Sequence, residues 1–85
     1  MGSYSVHVKR SAAQEIEAVP RRDRVRIIEH IRTLSGDPRP AGSKKLSGRD
    51  AYRIRQGDYR IVYTVDDEDR VVMVVAVAHR RDAYR

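Results

Sequence analysis

The stretch AYRIRQGDYRIVY, Ala51 to Tyr63, decides the fold. Two runs rich in β-branched, aromatic and arginine residues flank Gly57-Asp58. A two-residue loop with glycine first is the type II′ hairpin pattern, and so short a loop leaves one register. Gln56 then faces Tyr59, Arg55 faces Arg60, Ile54 faces Ile61, Arg53 faces Val62 and Tyr52 faces Tyr63. Successive side chains on a strand point to opposite faces. Tyr52, Ile54, Ile61 and Tyr63 therefore share an apolar face, and Arg53, Arg55 and Arg60 share the other. Like charges directly across a ladder are unfavourable by ~0.2–1 kcal/mol. No carboxylate on that face offsets the Arg55–Arg60 pair, and a local rule broken without compensation marks a functional surface. The forked donors of arginine suit phosphate oxygens, so the face reads as an anion site for nucleic-acid phosphate. A solvated face of splayed arginines is the competing reading.

Beyond the hairpin lie the acidic turn DDED, Asp66 to Asp69, and the run RVVMVVAVA, Arg70 to Ala78. That run is apolar on both sides, as a central strand would be. It delivers HRRDAYR, His79 to Arg85. Register is not derivable across the longer turn, so either His79 or Arg80 joins the arginine face. Tyr84 has two readings of equal standing, a ring that stacks on a base and a core filler.

Upstream, Tyr4 to Lys9 alternates as a half-buried strand. Ser11 to Gln14 (SAAQ) has the capping-box spacing, and a short helix follows with Ala12, Ile16 and Val19 inward. Pro20 ends it and suits the first turn of the next helix. That helix runs from about Arg21 to Leu34, with Ile27, Ile28, Ile31 and Leu34 as its buried stripe and Gly36 as its C-terminal cap. GDPRPAGSKKLSG, residues 36–48, is a loop that Leu46 anchors to the core. Strands are expected over Tyr52–Gln56, Tyr59–Val65 and Arg70–Ala78. The expected fold is one α+β domain, residues 1–85: an antiparallel four-stranded sheet with two N-terminal helices on one face.

The chain has 85 residues, a net charge of +6 and no cysteine. Its size allows one modest core. The absence of cysteine removes disulfides, thiolate metal sites and a thiol nucleophile, and fits a reducing, cytoplasmic setting. Signal-peptide and membrane-span patterns are missing. Excess positive charge favours a polyanionic partner. With no Trp and no Phe, a membrane surface ranks last.

KKLSG before the hairpin, YRIRQGDYRIVYTV through it and VVAVAHRRDAYR at the end resemble the RelE family of the RelE/ParE superfamily, the toxins of bacterial toxin–antitoxin pairs. The resemblance covers nearly the whole chain. It implies a fold similar to small microbial ribonucleases and a metal-independent, ribosome-dependent endoribonuclease. Such an enzyme cleaves mRNA in the A site of the 70S ribosome and is neutralised by an acidic, RelB-like antitoxin. Carried over residue by residue, Arg53 and Arg55 match two basic site positions and Arg60 the phosphate-stabilising arginine. Arg80 matches the arginine proposed as general acid, and Tyr84 the aromatic that orients a base. The best-known members carry lysines at the first two positions, one of them proposed as the general base. Arginine keeps its proton and is a poor base. His79 and Asp58 are the local candidates for proton acceptor.

His7, His30 and His79 are scattered without ligand spacing, and DDED lacks the glycine and distal glutamate of a calcium loop. It reads as a solvated turn. No metal and no cofactor are expected. Arg22 and Arg26 on the basic second helix, with Lys44 and Lys45, are candidate contacts to ribosomal RNA, against a default of solvated charge. Two other functions share these features: a ParE-like poison of DNA gyrase on the same fold, and a non-catalytic RNA-binding module.

Overall fold

The computed structural model describes residues 4–46 and 50–81. In chain order the elements are β1 (Ser5–Val8), α1 (Arg10–Glu17), α2 (Arg21–Thr33), β2 (Lys44–Lys45), β3 (Ala51–Gln56), β4 (Tyr59–Asp66) and β5 (Val71–His79). They make one sheet in the order β1-β5-β4-β3-β2.

The hairpin forms with the expected register, from Gln56 opposite Tyr59 to Tyr52 opposite Tyr63. Gly57 has φ +59° while Asp58 keeps a negative φ, as a type II′ turn requires. β5 lies between β1 and β4, which accounts for its apolar composition.

The expected four-stranded antiparallel sheet is instead five-stranded and mixed. β1 pairs parallel with β5, Ser5 opposite Val71 through Val8 opposite Val74. The two helices carry the chain to the far edge of the sheet, and the β3-β4-β5 meander walks back. It ends beside β1 in the same direction. The additional strand, β2, lies where a loop is expected: Lys44 pairs with Arg53 and Lys45 with Tyr52.

α1 begins at Arg10, one residue before Ser11, so the capping box does not form; Lys9 is the N-cap and no side chain caps the helix. Lys9 N–H still bonds Val74 O, at 2.9 Å, while its own carbonyl accepts from Ala13. Strand pairing thus runs directly into the helix. Pro20 is the N-cap of α2 rather than a residue of its first turn. Ile27, Ile31 and Leu34 are buried, but Ile28 is 37% exposed and belongs to the surface. Gly36 takes no left-handed conformation. α2 ends in three-residue turns, Leu34 N to Ile31 O and Gly36 N to Thr33 O.

Ala12, Ile16, Val19, Ile27, Ile31 and Leu34 pack on Ile54, Ile61, Tyr63, Val65, Val72, Val74 and Val77. Each large aliphatic buried is worth ~1.5–3 kcal/mol, so burial rather than capping holds the helices. Both helices cover the face bearing Ile54 and Ile61, and the arginine face stays open. Leu46 is half-buried at the rim, outside this core. Among the described residues no helix is long and apolar enough to cross a membrane.

The acidic turn is more than solvated. Asp67 accepts from both terminal nitrogens of Arg39, at 2.7 and 3.1 Å, and from the Tyr4 hydroxyl at 2.7 Å. Arg39 Nε donates to the Tyr52 hydroxyl at 2.9 Å, and its guanidinium lies 5.1 Å from the Tyr52 ring centre. Tyr52 stacks on Tyr63, whose hydroxyl donates to Pro38 O at 2.8 Å. Burial pushes the Tyr63 phenol up. The hydrogen bonds from Arg39 and then Tyr4 hold the Asp67 carboxyl below its ordinary value.

Candidate functional site

Three elements meet at the hairpin tip. β3 brings Arg53 and Arg55 to the open face, and β4 brings Arg60 opposite Arg55. β5 brings Ala78 opposite Arg60 and His79 opposite Tyr59. His79 is therefore on the helix side, edge-on to the Tyr59 ring at 5.2 Å. Arg80 joins the arginines, lining a cavity of about 280 Å³ with Arg55, Gly57, Asp58, Tyr59 and Arg60. The backbone ties it there, since Arg80 N–H bonds Asp58 O at 2.7 Å.

The choice between His79 and Arg80 is made by a β-bulge. Val62 pairs with Ala76 but Tyr63 with Val74, leaving Val75 as the extra residue. Val72 and Val74 are buried before the bulge, and Val77 after it. Regular alternation from Val74 would have turned Ala76, Ala78 and Arg80 toward the helices. The extra residue reverses the parity. A run apolar on both faces carries no alternation in which this could be seen.

The helix side of the tip is tied down separately. His30 Nδ1 and the Gln56 side-chain oxygen are 3.1 Å apart, linking α2 to the last residue of β3. Glu15 accepts the Val77 N–H at 2.9 Å, covering the edge of β5 where β1 has stopped at Val74. Neither contact has a local sequence signal, for the partners are 26 and 62 residues apart.

Lys44 and Lys45 part company. Lys44, opposite Arg53, extends the arginine face. Lys45, opposite Tyr52, is on the helix side, with Asp50 at 4.0 Å. Arg22 and Arg26 are exposed in the helix layer, across the sheet from the arginine face. Tyr84 lies outside the described residues.

Asp58 lines the Arg55–Arg60–Arg80 cavity and a neighbouring one of about 670 Å³ shared with His79, Arg80 and Arg81. Its Oδ1 is 3.9 Å from Arg80 Nη1. His79 Nδ1 accepts the Arg81 N–H at 3.2 Å, which leaves the proton of the neutral ring on Nε2. Of the two candidate acceptors, Asp58 thus has its carboxylate at the arginine cavity, whereas His79 has its accepting nitrogen occupied. The arrangement can grip an anion with planar donors from β3, β4 and the turn after β5, and can take a proton at one oxygen. Arginines at the tip supply donors but no nucleophile of their own.

The sequence model for the ParE toxin of parDE type II toxin–antitoxin systems matches residues 6–84. Toxin RelG of Mycobacterium tuberculosis is 31% identical, covering 96% of this chain and 97% of its own length. In the crystal structure of the toxin–antitoxin complex RelBE2 from the same organism, one chain superposes with a TM-score of 0.81 at 28% identity, covering 92% of this chain and 99% of that one. The archaeal RelE–RelB complex from Pyrococcus horikoshii gives 0.78 at 26% identity, over 92% and 96% of the two chains.

Proposed function

The chain belongs to the RelE/ParE family of type II toxins, and from that premise we propose that it is a ribosome-dependent mRNA endonuclease. The observation that carries this reading is the single cavity bounded by Arg55, Arg60, Arg80 and Asp58.

In the proposed reaction the 2′-oxygen attacks the adjacent phosphorus and the bond to the 5′-oxygen breaks. The products are a 2′,3′-cyclic phosphate and a 5′-hydroxyl. Asp58 accepts the 2′-hydroxyl proton. Arg60 and Arg55 meet the charge that builds on the phosphoryl oxygens, the kind of preorganised donor that dominates such catalysis. Arg53 steadies the strand beside them. Arg80 faces the leaving 5′-oxygen, the general-acid position by resemblance, and Tyr84 stacks on a base. No metal takes part. The ribosome supplies the in-line geometry, an effect worth up to roughly 7–11 kcal/mol, with Arg22 and Arg26 docking on ribosomal RNA.

An acidic antitoxin is the proposed partner in the cytoplasm. The positive charge of +6 supports it, as do the solved complexes of the relatives with RelB. So does the apolar groove between β1 and α2, about 500 Å³, with Val8 and Ile28 on its exposed rim, which suits an amphipathic segment. Co-purification from the native operon should recover a short acidic protein, and a stable, toxic free protein at normal yield would argue against it.

The matched family description carries the ParE name, which keeps gyrase poisoning as the second reading. Primer extension on translated mRNA, run beside a gyrase cleavage assay, separates the two. Cuts within codons on ribosomes, with free RNA left intact, support the nuclease. Trapped gyrase–DNA complexes with intact mRNA overturn it, and RNA binding with neither activity leaves a binding module.

A further inference from the structure

Two like-charged pairs stand in succession on the open face: Arg55 opposite Arg60, and Lys44 opposite Arg53. They are two residues apart along β3, about 6.6–6.8 Å in strand geometry. The second row continues through Val62 and Ala76, which carry no charge. In the tip row the cations lie on β3 and β4, as Arg55 and Arg60, with Arg80 just past the end of β5, and in the second row on β3 and β2, as Arg53 and Lys44. The positive charge forms a diagonal that crosses the strands from the cavity to the β2 edge. Among the described residues no carboxylate forms an ion pair with Lys44, whereas Lys45, next in sequence, has Asp50 at 4.0 Å.

A polyanion laid across the two rows gains from the cations of both. The row spacing is comparable with the repeat of phosphates along an extended nucleic-acid strand. We propose that the Lys44–Arg53 row is a second phosphate subsite, which takes the phosphodiester next to the one held at Arg60. The ligand is then an extended single strand running diagonally over β4, β3 and β2. The name of the first subsite, the scissile one, rests on the nuclease reading above; the second subsite needs only a polynucleotide.

The test uses the full chain and a single-stranded 2′-O-methyl RNA, which cannot be cleaved, with affinity followed by fluorescence anisotropy over a salt titration. Each phosphate contact to a single strand contributes about 0.7 to the slope of log affinity against log salt. Lys44→Gln should lower that slope by about 0.7, and Lys45→Gln by clearly less. A methylphosphonate at the linkage next to the Arg60-bound one should produce the same loss in the unaltered protein and no further loss in Lys44→Gln. An unchanged slope in Lys44→Gln overturns the subsite, as do equal losses from both lysines, full additivity with the methylphosphonate, or no salt-dependent binding at all. Failure of the nuclease reading looks different. The unaltered protein would then leave translated mRNA intact while the Lys44 effect on the slope persists.

Discussion

At the Tyr52 end of the sheet, Arg39 gives both terminal nitrogens to Asp67, at 2.7 and 3.1 Å, and its Nε to Tyr52. At the Gly57 end, Arg55, Arg60 and Arg80 border a cavity whose lining, among the described residues, holds one carboxylate, Asp58, which Arg80 approaches at 3.9 Å. The residue type is the same at both ends; the ratio of arginine to carboxylate differs. Where one guanidinium meets one carboxylate in a fork, the charge is spent within the molecule and joins the loop after α2 to the β4–β5 turn. Where three guanidiniums border one carboxylate, the cations outnumber the carboxylates among the described lining residues. Counting arginines in the sequence does not distinguish these cases, but counting the carboxylates placed against them does.

The comparison breaks most severely at Asp58. Removing a positioned general base typically costs 10²–10⁴ in rate, so Asp58→Asn, a turn-compatible change, should lose about that much cleavage at an unchanged melting midpoint. Full activity would move the proton acceptor elsewhere. Next comes Arg60→Ala. Loss of a preorganised charge donor is worth roughly 10²–10³, and growth inhibition should vanish in a protein whose circular dichroism is native. Full toxicity from well-expressed Arg60→Ala would return the arginine face to mere solvated charge.

Arg55→Glu sharpens the contrast by making the tip resemble the Arg39 end. A carboxylate opposite Arg60 turns a repulsive cross-strand pair into an attractive one, each worth ~0.2–1 kcal/mol. The midpoint in denaturant should rise modestly while cleavage falls. A fall in both would mean that Arg55 helps to hold the hairpin rather than the ligand.

The smallest effect is expected at Asp67. The hydrogen bonds from Arg39, and then from Tyr4, depress its carboxyl in the folded protein. A depressed folded value stabilises above the unfolded one, near 3.9, and the benefit is lost as pH falls through the folded value. Asp67→Asn should therefore melt slightly below the unaltered protein at neutral pH and converge with it in acid, below about pH 4. Cleavage at neutral pH should be unaffected. A gap that persists in acid would assign the effect to shape rather than charge.

The hairpin was legible because its information is local. Gly57-Asp58 admits one turn class, the turn one register, and the register one set of faces, so Arg53, Arg55 and Arg60 came together from spacing alone. The α2 stripe at Ile27, Ile31 and Leu34 was legible for the same reason, with Ile28 on its rim misjudged because a 100° step separates it from Ile27. Resemblance added Arg80 as a site position, but its face did not follow from the residues before it.

What only the tertiary structure decided lies where pairing spans long stretches of chain. β1 beside β5, Lys44 opposite Arg53, Asp67 gripping Arg39 and Glu15 receiving Val77 N–H all depend on where distant segments meet. The run Val71–Ala78 is apolar on both faces, so a one-residue bulge at Val75 leaves no trace in its pattern. That bulge nonetheless turns Arg80 to the cavity and His79 to the helices. Turn sterics and helical period act between neighbours, and so are written in neighbouring residues. The parity of a strand covered on both sides is set by the strands beside it.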